Sequence, residues 1–150
     1  TNSTFLEKLR ARNLLNVVIF PASSELPDTE EKRRRFHNSI FHSIAVAGVN
    51  TTAFLEAAAL DRPCITIETQ NSSETQMLPH FHHLADAGIL ESASSADELV
   101  DVIGRIKFGV DARRDQRREF VRNFLRPCGI PAVQAYVELV EDLGRRSKGQ

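Results

Sequence analysis

Four short apolar runs, separated by stretches long enough for helices, constrain this chain more than any other feature. They are Asn16-Val-Val-Ile-Phe-Pro21, Ile44-Ala-Val-Ala47, Cys64-Ile-Thr-Ile67 and Ile89-Leu-Glu-Ser92. An apolar run this short, bounded by turn signals, reads as a strand buried on both faces, the pattern of a parallel sheet. Helical periodicity fills the intervals. Residues 29–43 carry charges first and then Phe36, Ile40 and Phe41, residues 51–60 are rich in alanine, and residues 77–87 hold Pro79 in their first turn, where a missing N–H costs little. Strands alternating with helices predict an α/β fold with a parallel sheet of about four short strands flanked by helices.

The second half of the chain is more helical. Ser95-Ala-Asp-Glu98 is a capping-box signature that opens a helix with Leu99, Val102, Ile103 and Ile106 on one face. Two further amphipathic segments carry Phe120, Val121, Phe124 and Leu125, and then Val133, Val137, Val140 and Leu143, with Arg126-Pro-Cys-Gly129 breaking the chain between them. Residues 69–76 are polar and predict a long loop. Residues 145–150 are expected to fray. The 150 residues suffice for a single domain with a real core.

Composition excludes several classes of function. The net charge of -1 gives no global reason to expect nucleic acid as a partner. Three basic runs (33–35, 113–118 and 145–148) are interleaved with or adjacent to acidic residues, or stand at the chain end. They read as solvated helix faces, with contact to anionic lipid at most peripheral. Phe supplies nine of the ten aromatic residues and Trp is absent, which favours packing over a sugar-stacking platform. No apolar run approaches the ~18 residues a membrane span requires. Cys64 and Cys128 are the only cysteines, and two thiols without a secretory signal suit the reducing cytoplasm. Because the chain opens on Thr1, we expect it to be a fragment of a longer protein.

The chemistry concentrates where the second strand ends, at Gly48, Asn50, Thr51 and Thr52. In parallel α/β sheets, ligands bind beyond the carboxyl ends of the strands. A helix starting there offers unpaired N–H groups and the positive end of its dipole, which favour a phosphate. A plain N-cap with no ligand is the alternative reading. Glu56 lies too deep in the helix to serve the cap, among Phe54, Leu55 and three alanines. A carboxylate in such surroundings needs a partner. It should reach back over Thr52, where it could accept from ribose hydroxyls, unless it sits on an exposed face or pairs with a core arginine. His80, His82 and His83 form a second cluster. They lack a third metal ligand at a recognisable spacing, so no metal is expected. His80 could instead hydrogen-bond a phosphate.

Thr51-Thr-Ala-Phe-Leu-Glu-Ala-Ala-Ala-Leu-Asp-Arg-Pro63 resembles the sugar-nucleotide signature of GT-B-type glycosyltransferases. The peptidoglycan N-acetylglucosaminyltransferases and the UDP-N-acetylglucosamine epimerases carry a similar pattern, with a ribose-binding Glu seven residues before a Pro, as Glu56 stands before Pro63. Gln76 falls where that family places a Gln against the sugar-phosphate of the donor. Residues 42–51, 79–84 and 120–127 are similar to bacterial glycosyltransferase-like and glycerophosphotransferase-like proteins. The resemblance implies a Rossmann-like GT-B C-terminal domain that binds a nucleotide-sugar as substrate through Gly48, Asn50, Thr51, Thr52, Glu56, Gln76 and His80, with no cofactor. Its acceptor domain, Gly-rich loop and first two strands would be missing, so no catalytic residue is named and the chain alone should be inactive. Transfer of an alditol phosphate from a CDP-linked donor, or epimerisation, would use the same fold. A non-catalytic α/β interaction module is the reading from another class. The bare edge of strand 44–47 would invite strand 17–20, or a second copy as a homodimer.

Overall fold

The computed structural model describes residues 2–20, 27–49, 51–68, 79–126 and 129–147. In chain order the elements are α1 (Asn2–Ala11), α2 (Glu30–Phe41), β1 (Val46–Gly48), α3 (Ala53–Ala59), β2 (Cys64–Ile67), α4 (Pro79–Asp86), β3 (Leu90–Ala93), α5 (Ala96–Lys107), α6 (Arg114–Phe120), a π-helical turn (Val121–Leu125) and α7 (Ala132–Ser147). Two compact units result, Thr1–Asn38 and Ser39–Gln150.

The second unit is α/β. Its three strands form a parallel sheet in the order β1-β2-β3. Cys64 pairs with Val46 on one side and with Leu90 on the other, so β2 is central. That position explains its composition. Successive side chains of a strand face opposite ways, and β2 is covered both ways. On one face Ile65 packs with Ala93 and Val102, and Leu99, Ile103 and Ile106 of α5 close over them. On the other, the Cys64 thiol lies 3.7 Å from the Phe54 carbonyl oxygen of α3. Ile65, Phe54 and Ile89 are fully buried. This unit thus layers helix, sheet and helix, and β1 and β3 are the edges of the sheet among the described residues.

Strands 44–47 and 89–92 of the sequence reading appear slightly shifted, as Val46–Gly48 and Leu90–Ala93. The expected fourth strand, 17–20, does not form. Leu15 and Val18 are 98% and 90% exposed. An apolar run becomes a strand only when a neighbour completes its hydrogen-bond ladder and covers its side chains, and among the described residues no strand pairs with this one.

The start of α5 follows the capping-box expectation with a shift of one residue. Ser95 Oγ accepts from the Glu98 N–H at 3.2 Å, as a box requires. The Glu98 carboxylate reaches back to the N–H and hydroxyl of Ser94, both at 2.7 Å, rather than to Ser95. Arg145 and Arg146, expected to fray, belong to α7 and pair one turn back with Glu141 and Asp142. Residues 148–150 lie outside the described residues. Among the described residues no helix is long and apolar enough to cross a membrane.

Candidate functional site

The unit that the sequence singles out begins where β1 ends. Gly48 is needed there because the chain folds back on itself: a Cβ at this position would stand 2.9 Å from Thr51 Cγ2. Thr51 then caps the next helix. Its hydroxyl accepts from the Ala53 N–H at 3.2 Å, and its carbonyl accepts from Phe54 N–H at 3.3 Å. The Leu55 N–H turns to the Thr52 carbonyl at 2.9 Å. The first amides of α3 are therefore satisfied inside the turn, so the expected row of free donors for a phosphate is absent from Ala53 to Leu55. Thr52 is exposed, and its side chain makes no capping bond.

Helix α3 is buried on one face only. Phe54, Ala57 and Ala58 are buried, whereas Thr52 and Ala59 are exposed. At 3.6 residues per turn, Glu56 shares a face with Thr52, one turn earlier, and not with Phe54. Glu56 is half-buried there, neither in the core with Phe54 nor fully exposed. One carboxylate oxygen, Oε2, is nevertheless shut off from water and has no hydrogen-bond partner among the described residues. Such an atom forgoes about 1–3 kcal/mol until something donates to it. Asn50 and Gln76 lie outside the described residues, as does the loop 69–76. His80 falls in α4, with its side chain outside what is described. His83 packs its ring 5.2 Å from that of Phe124.

The sequence reading missed a second cluster. Arg117, assigned to a solvated face, is completely buried. It is held by carboxylates from two turns. Its guanidinium donates to Asp61 Oδ1 at 2.8 and 3.2 Å and to Asp111 at 2.6 and 3.2 Å. Arg118 reaches Asp61 Oδ2 at 3.0 Å, and Arg114 approaches the same oxygen at 3.5 Å. A guanidinium presents a planar fork of donors, which is why arginine rather than lysine can serve two carboxylates at once.

Asp61 has a further task. It ends α3 in the left-handed region, φ 53°. The Arg62 N–H bonds Ala57 O at 2.8 Å and the Asp61 N–H bonds Ala58 O at 3.0 Å, the Schellman pattern usually built on glycine. Aspartate tolerates this conformation better than most residues, and here its carboxylate links the end of α3 to α6.

Burial pushes the Asp61 carboxyl up, and hydrogen bonds from Arg117 and Arg118 outweigh it, so its pKa falls below the ordinary 3.8. A depressed folded-state pKa contributes stability that is fully present above the unfolded value and is lost as pH falls through the folded one. Urea midpoints measured between pH 6 and pH 2 should thus decline in acid, and less steeply in Asp61→Asn than in the parent below about pH 4. Equal slopes would mean that Asp61 does not carry the acid sensitivity. Burial also pushes the Cys64 thiol up to about 12, which leaves it a packing group rather than a nucleophile.

No protein-family model matches the chain, and neither does a curated protein or a solved structure.

Proposed function

We propose that this chain binds the nucleotide-activated sugar donor of a GT-B-type glycosyltransferase at the unit running from Gly48 to Glu56. One observation carries the reading, the water-excluded Glu56 oxygen without a partner among the described residues, on the helix that follows a parallel strand. Ribose hydroxyls are donors that would satisfy it. The exposed Thr52 hydroxyl, on the same helix face, is free to meet the diphosphate, and Gly48 keeps the turn between them compact. Because the Ala53–Leu55 amides are already bonded, the phosphates would depend on Thr52, on Asn50 and on the Gln76 and His80 region more than on α3 itself. The order β1-β2-β3, parallel and sequential, suits one half of a Rossmann-like doubly wound sheet. Alditol-phosphate transfer or sugar epimerisation would use the same contacts.

Calorimetric titration with uridine, cytidine and guanosine diphosphates, and with their sugar conjugates, tests the proposal. One base should bind saturably, and Glu56→Gln should weaken it by about 1.5–3 kcal/mol, the range for a hydrogen bond to a charged group. An affinity unchanged by Glu56→Gln would remove Glu56 from the site. Absence of binding by every nucleotide would favour the second reading, a non-catalytic interaction module. The exposed side chains of Val133, Tyr136, Val137, Val140 and Leu143 on α7 support that reading.

A further inference from the structure

A cleft of about 370 Å³ opens at the other end of the sheet. Ser43 stands in its wall before β1, and Arg62 stands there before β2, so it lies at the amino ends of the strands, remote in the topology from Gly48 and Thr51. Lys107, at the end of α5, and Arg114, at the start of α6, complete a basic lining.

The charges in this cleft do not balance. Asp61 and Asp111 also line it, but their oxygens are engaged by arginines. Arg117 alone, buried behind them, bonds both carboxylates. Arg62 has no acidic partner among the described residues. Its guanidinium lies over the Phe41 ring, 5.1 Å from the centroid, and its buried Nε donates to nothing there. Lys107 is exposed and likewise has no acidic partner among the described residues. Arg114 touches Asp61 only at 3.5 Å. Ser43 gives its proton to the Ile40 carbonyl at 2.7 Å, so the side-chain donors that remain are cationic.

We propose that this cleft binds an oxyanion of the phosphate class, with Arg62 and Lys107 as its principal donors and Arg114 at the rim. A buried guanidinium nitrogen without an acceptor, oriented by an aromatic ring, matches a phosphoryl oxygen in charge and geometry. More than one unmatched cation favours a doubly charged group over a single carboxylate. Free phosphates and the headgroup of an anionic lipid share this chemistry.

The test is calorimetric titration of the full chain with inorganic pyrophosphate at fixed ionic strength, beside flotation with phosphatidate and with phosphatidylcholine vesicles. The expected result is saturable binding of pyrophosphate, of phosphatidate vesicles or of both. Either should be weakened about tenfold by Lys107→Gln and by Arg62→Gln, a loss typical of one charge-assisted bond. Arg105→Gln, an equal loss of charge on the same helix, should leave it unchanged. Lys107 is exposed, so its variant retains the fold even if loss of the Phe41 contact unsettles Arg62→Gln. Binding to vesicles alone would identify the headgroup as the source, and pyrophosphate binding alone the free anion. Absence of binding in both arms overturns the proposal. So does an equal loss in Arg105→Gln, or binding that both Lys107→Gln and Arg62→Gln spare.

Discussion

Arg117→Ala is expected to lower the free energy of unfolding by about 3–5 kcal/mol, the range for removing one partner of a buried ion pair. The reason lies less in the lost attraction than in what remains. Asp61 would keep Arg118 and Arg114, but Asp111 has no other ion-pair partner among the described residues and would be left half-shielded without a counter-charge. Three segments would also lose their tie: the turn after α3, the turn before α6, and α6 itself. Arg117→Lys should be costly as well, because a single ammonium cannot fork to both carboxylates. Urea denaturation of the single variants and of Arg117→Ala with Asp111→Asn checks this. The double variant should be less destabilised than the sum of the two singles. A loss below about 1 kcal/mol for Arg117→Ala, the range of an exposed pair, would show that Arg117 is not the clamp described.

Phe54→Ala is expected to cost about 3–5 kcal/mol, as for other fully buried aromatics. Phe54 is completely buried and sits on the face of α3 turned toward the core with Ala57 and Ala58. Small neighbours let the helix approach the sheet closely, so little can move in to fill the space of a lost ring. Helix α3 has only seven residues, too few to be stable without packing. Its position thus depends on Phe54 in the middle, Thr51 at the start and Asp61 at the end. Loss of Phe54 should therefore also disturb Glu56 without touching it. Thermal or urea unfolding measures the cost, and a change under about 1 kcal/mol would mean that the site can collapse around the alanine.

The parallel arrangement was legible because local signals agree with tertiary ones. A short apolar run such as Cys64–Ile67 has little alternative to a covered central strand, and the Ser95–Glu98 signature acts within one turn. Residues 17–20 have the same local character, yet a strand depends on its neighbour, which composition cannot supply. The Arg117 cluster was hidden for a related reason. Asp61 and Arg117 are separated by 56 residues, and a basic run looks solvated until its distant carboxylates are known. Only Asp61, a non-glycine residue just past an alanine-rich helix, hinted at a second role. At the candidate site, the Gly48 turn and the Thr51 cap were readable from local chemistry. The half-burial of Glu56 depends on how α3 rotates against the sheet, which Phe54, Ala57 and Ala58 decide together.

The most direct measurement is a residue-resolved map of amide chemical shifts during titration with a nucleoside diphosphate. Shifts at Gly48, Val49 and Thr51 through Glu56 are expected to saturate together with one affinity and to shrink in Glu56→Gln, whereas any shifts in the Arg62–Lys107 cleft should be unaffected by that substitution. Shifts absent at every nucleotide concentration, or confined to α7 or to the Arg62–Lys107 cleft, would contradict it.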